Sequence, residues 1–169
     1  MAFILWIVFG TTAFAGCLGA LWPVCRLEVS CEGRPHAFLS FRVFSGDRFS
    51  IRFLHSYDKA FFQENYEVGS NTEIILRDMF FKSHLNGGGF AYSNFHLRAD
   101  GVGELRDIHE KRAKVQFMMG SKDLANHQLI LKDRIFCLSD RIEPFEIVEI
   151  KLKKRMVLWD LFEKVTSLL

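Results

Sequence analysis

The sequence predicts an all-β domain: a single antiparallel β-barrel or sandwich of about ten short strands, with an N-terminal transmembrane helix and a short C-terminal amphipathic helix. Three observations carry this. The first 25 residues hold no charged side chain, the middle of the chain alternates apolar and polar residues with period two, and the last 14 change to a helical period. The boundaries this gives are 1–24 for a membrane anchor or uncleaved signal, 25–155 for the β-domain and 156–169 for the terminal helix.

The opening stretch, MAFILWIVFGTTAFAGCLGALWPVC, is long enough to cross a bilayer, which takes roughly 20 apolar residues in a helix. Gly10, Gly16 and Gly19 weaken a soluble helix but are common in membrane ones. The stretch lacks the basic n-region of a secretory signal. Arg26 and Arg34 follow it, so the positive-inside rule alone places the domain in the cytoplasm. Cys17 in Phe14-Ala15-Gly16-Cys17 loosely resembles a lipoprotein site, although Phe14 stands where leucine is usual; the plainer reading is a small apolar residue within the helix.

Beyond it, Cys25, Leu27, Val29 and Cys31 alternate with Arg26, Glu28 and Ser30. AFLSFRV and RFSIRFLH repeat the pattern, and further strands are expected near 61–68, 73–82, 94–99, 103–108, 113–119, 126–132, 134–138 and 145–153. Turn signals such as Ser45-Gly46-Asp47, Gly69-Ser70-Asn71 and Lys132-Asp133 separate them. With no βαβ alternation, a Rossmann-type sheet is excluded. At the end, Leu158, Leu161, Phe162, Val165 and Leu168 recur at helical spacing. That helix either caps the core or lies on a membrane surface, with Lys153, Lys154 and Arg155 just before it.

A net charge of +2 gives no overall field for nucleic acid, and no nucleic-acid partner is expected. The cluster Lys151, Lys153, Lys154 and Arg155 reads as a solvated strand edge. Cys25 and Cys31 lie six residues apart on one strand, about 20 Å and beyond disulfide reach. Cys137 is left able to pair with either. No CxxC or zinc spacing occurs.

The stretch IRFLHSYDKAFFQENYEV, residues 51 to 68, sets His55 and Glu64 among aromatic residues. Folding it around Asp58-Lys59-Ala60-Phe61 opposes Tyr57 to Phe62, His55 to Glu64, Phe53 to Tyr66 and Ile51 to Val68. A one-residue slip would turn the whole apolar set outward. The expected His55–Glu64 pair either fixes register at a barrel mouth or lines a polar site in an apolar cavity. His127 lies on the face of Leu129 and Leu131, so it points to the same interior, flanked by Asn126. Two histidines and a glutamate are the composition of a metal site, which makes His55, Glu64 and His127 metal candidates. Ser56 points away from its neighbour His55 on a strand, and no GxSxG elbow occurs, so a serine hydrolase is disfavoured. Asn86-Gly87-Gly88-Gly89 lacks the following helix of a phosphate loop and reads as a loop able to cover a ligand.

His55-Ser56, Glu64, Phe81-Lys82-Ser83, Gly87 to Gly89 and Asn126-His127-Gln128-Leu129 together resemble the bacterial family known as domain of unknown function 1850, over roughly residues 25 to 155. The His84-Leu85-Asn86 insertion before the glycines and the C-terminal helix depart from that pattern. The resemblance implies a small protein at the cytoplasmic membrane beside tripartite (TRAP-type) transporter components, with its domain outside the cytoplasm, against the positive-inside reading. No reaction is implied. The expectation is therefore a non-enzymatic membrane-anchored accessory or ligand-binding domain without a cofactor, its ligand residues being His55, Ser56, Glu64, Gly87, Gly88, Asn126 and His127. The alternatives are a metal-binding or enzymatic barrel using His55, Glu64 and His127, and a purely structural envelope protein.

Overall fold

Alternating residues form strands in the places the period-two pattern marks. The computed structural model describes residues 23–55, 59–82 and 94–156. Among the described residues, twelve strands lie in two antiparallel sheets that face each other as a sandwich without closing into a barrel. The smaller sheet has the order β2 (Leu39–Val43), β1 (Pro23–Cys31), β12 (Ile147–Met156), β9 (Lys114–Met118). The larger runs β11 (Arg134–Cys137), β10 (Gln128–Leu131), β3 (Arg48–His55), β4 (Ala60–Val68), β5 (Ile74–Phe81), β7 (Gly103–Leu105), β6 (Phe95–Leu97). A further strand, β8 (Glu110–Arg112), shares the edge of β5 with β7.

Strand β8 was not expected. Left-handed backbone at Asp107 and His109 breaks the predicted 103–108 strand and restarts pairing at Glu110. The hairpin turn Lys132-Asp133 takes left-handed φ at both residues, +50° and +61°, as a two-residue type I′ turn requires.

Inward residues of both sheets make one core. Leu27, Val29 and Ile150 from the smaller sheet meet Ile51, Tyr66 and Leu129 from the larger, each at most 1 % exposed. Full burial of such side chains is worth roughly 1.5–3 kcal/mol each. A satellite cluster of Phe62, Phe81 and Leu105 continues it under the far strands of the larger sheet. Gly103 makes that cluster possible: a Cβ there would stand 2.6 Å from the Phe81 ring and 2.9 Å from that of Phe95.

Two sequence boundaries change. Pro23 and Val24 already belong to β1, so the strand starts two residues before position 25. Met156 ends β12 rather than opening a helix. Residues 1–22 and 157–169, which carry the expected membrane and C-terminal helices, lie outside the described residues; within these, no helix is long and apolar enough to cross a membrane. Cys25, Cys31 and Cys137 are all thiols.

Candidate functional site

The hairpin that raised the site question forms, but in another register. His55 pairs with Ala60, Phe53 with Phe62, Ile51 with Glu64 and Phe49 with Tyr66. The expected pair of His55 with Glu64 is therefore wrong. They share the inward face of the sheet, yet Glu64 lies four residues further along, roughly 13 Å. Two aromatic pairs form across the strands in this register. Phe53 meets Phe62 at 5.0 Å between centroids, and Phe49 stacks on Tyr66 at 5.1 Å. Such pairs add about 0.5–1.5 kcal/mol each beyond burial.

Glu64 finds other partners. The Tyr66 hydroxyl donates to Glu64 Oε2 at 2.6 Å. Arg112 of β8 brings Nη1 to 3.8 Å from Glu64 Oε1 and donates to the Tyr66 hydroxyl at 3.3 Å. Glu110 holds the same guanidinium through Nε at 2.9 Å. Tyr66 is fully buried, and burial with the Glu64 carboxylate beside it raises its pKa far above the usual phenol range. Glu110 pulls Arg112 further toward its charged form. Sequence reading missed Tyr66, Glu110 and Arg112 as members of this network; the alternation of Glu110 and Arg112 in a short polar run was its only trace.

His127 is inward, as its place beside Leu129 and Leu131 suggested. It sits one residue beyond the Gln128–Arg52 pair, which puts it beside Phe53. Phe53 and Phe117 stack on its two faces at 5.0 and 4.9 Å, and Nδ1 accepts the Gly120 N–H at 3.4 Å. The ring is buried, and burial lowers its pKa to about 4. It is a neutral base between two aromatic rings. His55 lies two residues along β3 from Phe53, a diagonal neighbour at about 7–8 Å. Asn126, with left-handed φ, turns the chain into β10 and accepts from Ser139 Oγ at 3.5 Å.

His55 and His127 thus lie on one inward face, with Glu64 further along it. Among the described residues no group of three or more His, Cys, Asp or Glu side chains is placed to hold a metal ion, so the metal set His55, Glu64 and His127 does not assemble. Ser56, Ser83, Gly87 and Gly88 lie outside the described residues.

A heavily charged surface lies elsewhere, on the outer face of the smaller sheet. Strand β12 is central there, so its lysines are not at an edge as the sequence suggested. Glu28 and Glu149 are 3 % and 7 % exposed. Lys153 Nζ and Arg155 Nη2 stand 2.9 and 2.8 Å from the two Glu28 oxygens. Lys114 and Lys151 hold Glu149 and draw its pKa below the carboxylate range. Lysine stems cover each carboxylate while their ammonium groups reach water. A polar recess of about 180 Å³ opens here, lined by Glu28, Ser30, Arg34, Glu149, Lys151 and Lys153.

No protein-family model, curated protein or solved structure matches this chain.

Proposed function

We propose that this chain is a membrane-anchored, non-enzymatic β-sandwich that serves as an accessory or ligand-binding component at the cytoplasmic membrane. The observation that carries this is the pairing of Pro23 with Met156 at one end of the β1–β12 ladder. The uncharged residues 1–22 and the amphipathic residues 157–169 are therefore joined to neighbouring strands at the same end of the sandwich. Two membrane-seeking segments at one end suit a domain that stands on a bilayer. The positions of Glu64 and His127 favour the non-enzymatic reading, since one is held by Tyr66 and Arg112 and the other between two rings. The partner remains the one that the residue resemblance implies, a TRAP-type solute transporter, with the domain on the outer side.

Extraction of membranes containing the full chain tests the anchor. Carbonate at high pH should leave the protein in the pellet; its release would end the reading. A reporter fused after Leu169 tests the side, and activity confined to the cytoplasm would reverse the orientation.

A further inference from the structure

The end of the sandwich that carries Pro23 and Met156 is also its basic end. Across β2, β1 and β12 the ladder sets Arg42 beside Arg26 and Arg26 beside Lys153, then Cys25 beside Lys154 and Val24 beside Arg155. Val43 pairs with Cys25, so the next residue, Phe44, emerges at this same end. The Lys132-Asp133 turn reaches it too: Lys132 Nζ donates to the Arg42 carbonyl at 3.4 Å and lies 3.1 Å from Asp47. Six cations, Arg26, Arg42, Lys132, Lys153, Lys154 and Arg155, stand against Glu28, Asp47 and Asp133. Glu28 lies beneath Lys153 and Arg155 and offsets part of their charge, and the cations still outnumber the carboxylates at this end.

Two apolar side chains are exposed among these charges. Phe44 and Met156 are each 56 % exposed. The Phe44 ring has the Arg42 guanidinium at 5.3 Å from its centroid and the Lys132 ammonium at 5.6 Å. An aromatic ring held in water between two cations matches the boundary of an anionic bilayer, where rings settle at headgroup level and cations meet phosphates. Pro23 directly follows the uncharged residues 1–22, so no linker separates this end from a bilayer that holds that segment.

We infer that this end of the sandwich docks on anionic phospholipid, with Phe44 at headgroup level and Arg42, Lys132 and Lys154 on the phosphates. The inference rests on the anchored reading above. Phe145 provides the control. It is 81 % exposed just before Ile147, at the other end of β12 and about 30 Å from Met156.

The test places the photoreactive residue p-benzoylphenylalanine at position 44 or 145 of the full chain. Each protein is reconstituted into vesicles of phosphatidylcholine with phosphatidylglycerol, or of phosphatidylcholine alone, and irradiated. The expected result is a phospholipid adduct at 44, severalfold stronger with phosphatidylglycerol, and severalfold weaker at 145. Arg42→Glu with Lys132→Glu should reduce the adduct at 44 severalfold. Cross-linking of 44 to the chain's own residues 157–169 would overturn the inference, as that segment would then be what covers the ring. Carbonate extraction of the same vesicles separates the two ideas. Release of the chain sinks the anchor, whereas retention without a lipid adduct at 44 sinks the docking alone.

Discussion

Glu149 and His127 are both buried ionisable groups, yet the molecule treats them in opposite ways. Glu149, on the outer face of the smaller sheet, keeps its charge because Lys114 and Lys151 hold it. His127, between the sheets, has two phenyl rings and one backbone N–H, and so remains neutral. Burial penalises the charged form of each group. The difference lies in the neighbours: cations on long stems can follow a carboxylate into a sheet face, while a ring slot admits no counter-ion.

The sharpest way to break the comparison is to strip Glu149 of both cations. Lys114→Met with Lys151→Met should cost about 3 kcal/mol at neutral pH, because a buried carboxylate loses its compensation. Urea unfolding of the full chain would measure this. The deficit should shrink as pH falls through the carboxylate range and Glu149 takes up a proton. An unchanged midpoint would mean that the carboxylate reaches water by another route.

Next in size is the pH dependence that His127 imposes. Its folded pKa of about 4 lies below the ordinary 6.5, so the unfolded chain binds the proton more readily. Stability is thus full above 6.5 and is lost as pH falls toward 4, at roughly 1.4 kcal/mol per pH unit. His127→Leu should flatten that part of the profile; a slope that survives belongs to other groups. Smaller again is Gly120→Ala. The new Cβ would stand 2.5 Å from Ala125 Cβ and 3.4 Å from His127 Cε1. A cost of about 1–3 kcal/mol is expected if the slot is rigid, and a neutral result would show that it yields.

The smallest effect should come from Glu28→Gln, below about 1 kcal/mol. It leaves Lys153 and Arg155 with side chains 50 % and 23 % exposed and able to turn to water. A loss as large as that of the double lysine variant would erase the asymmetry between removing the buried partner and removing the exposed ones.

The same contrast marks how much the sequence discloses. Period two revealed which face each residue takes, because burial imposes it directly: Leu27, Ile51, Leu129 and His127 are all inward, as read. It is blind to slips by an even number of residues, which keep every face while changing every partner. The hairpin is such a case. Both registers bury the apolar set and both oppose two aromatic pairs, so alternation along the chain does not choose between them. Glu64 thereby loses His55 and gains Arg112, whose strand lies more than forty residues away and has no strong local signal. The lysines of β12 misled for a related reason. A charge run looks like an edge unless its buried carboxylate partners, here Glu28 on β1 and Glu149 on β12, are known.

The position of β12 between β1 and β9 also sets a timetable. Strand β1 leaves the ribosome well before its partner, which follows it by more than a hundred residues. At ordinary synthesis speeds that is a wait on the order of ten seconds. Through that interval the side of β1 that β12 covers lacks its native partner, since β2 takes the other side. Completion of the smaller sheet thus waits for β12, and a ribosome that stalls before Ile147 leaves β1 and β9 with no strand to join them.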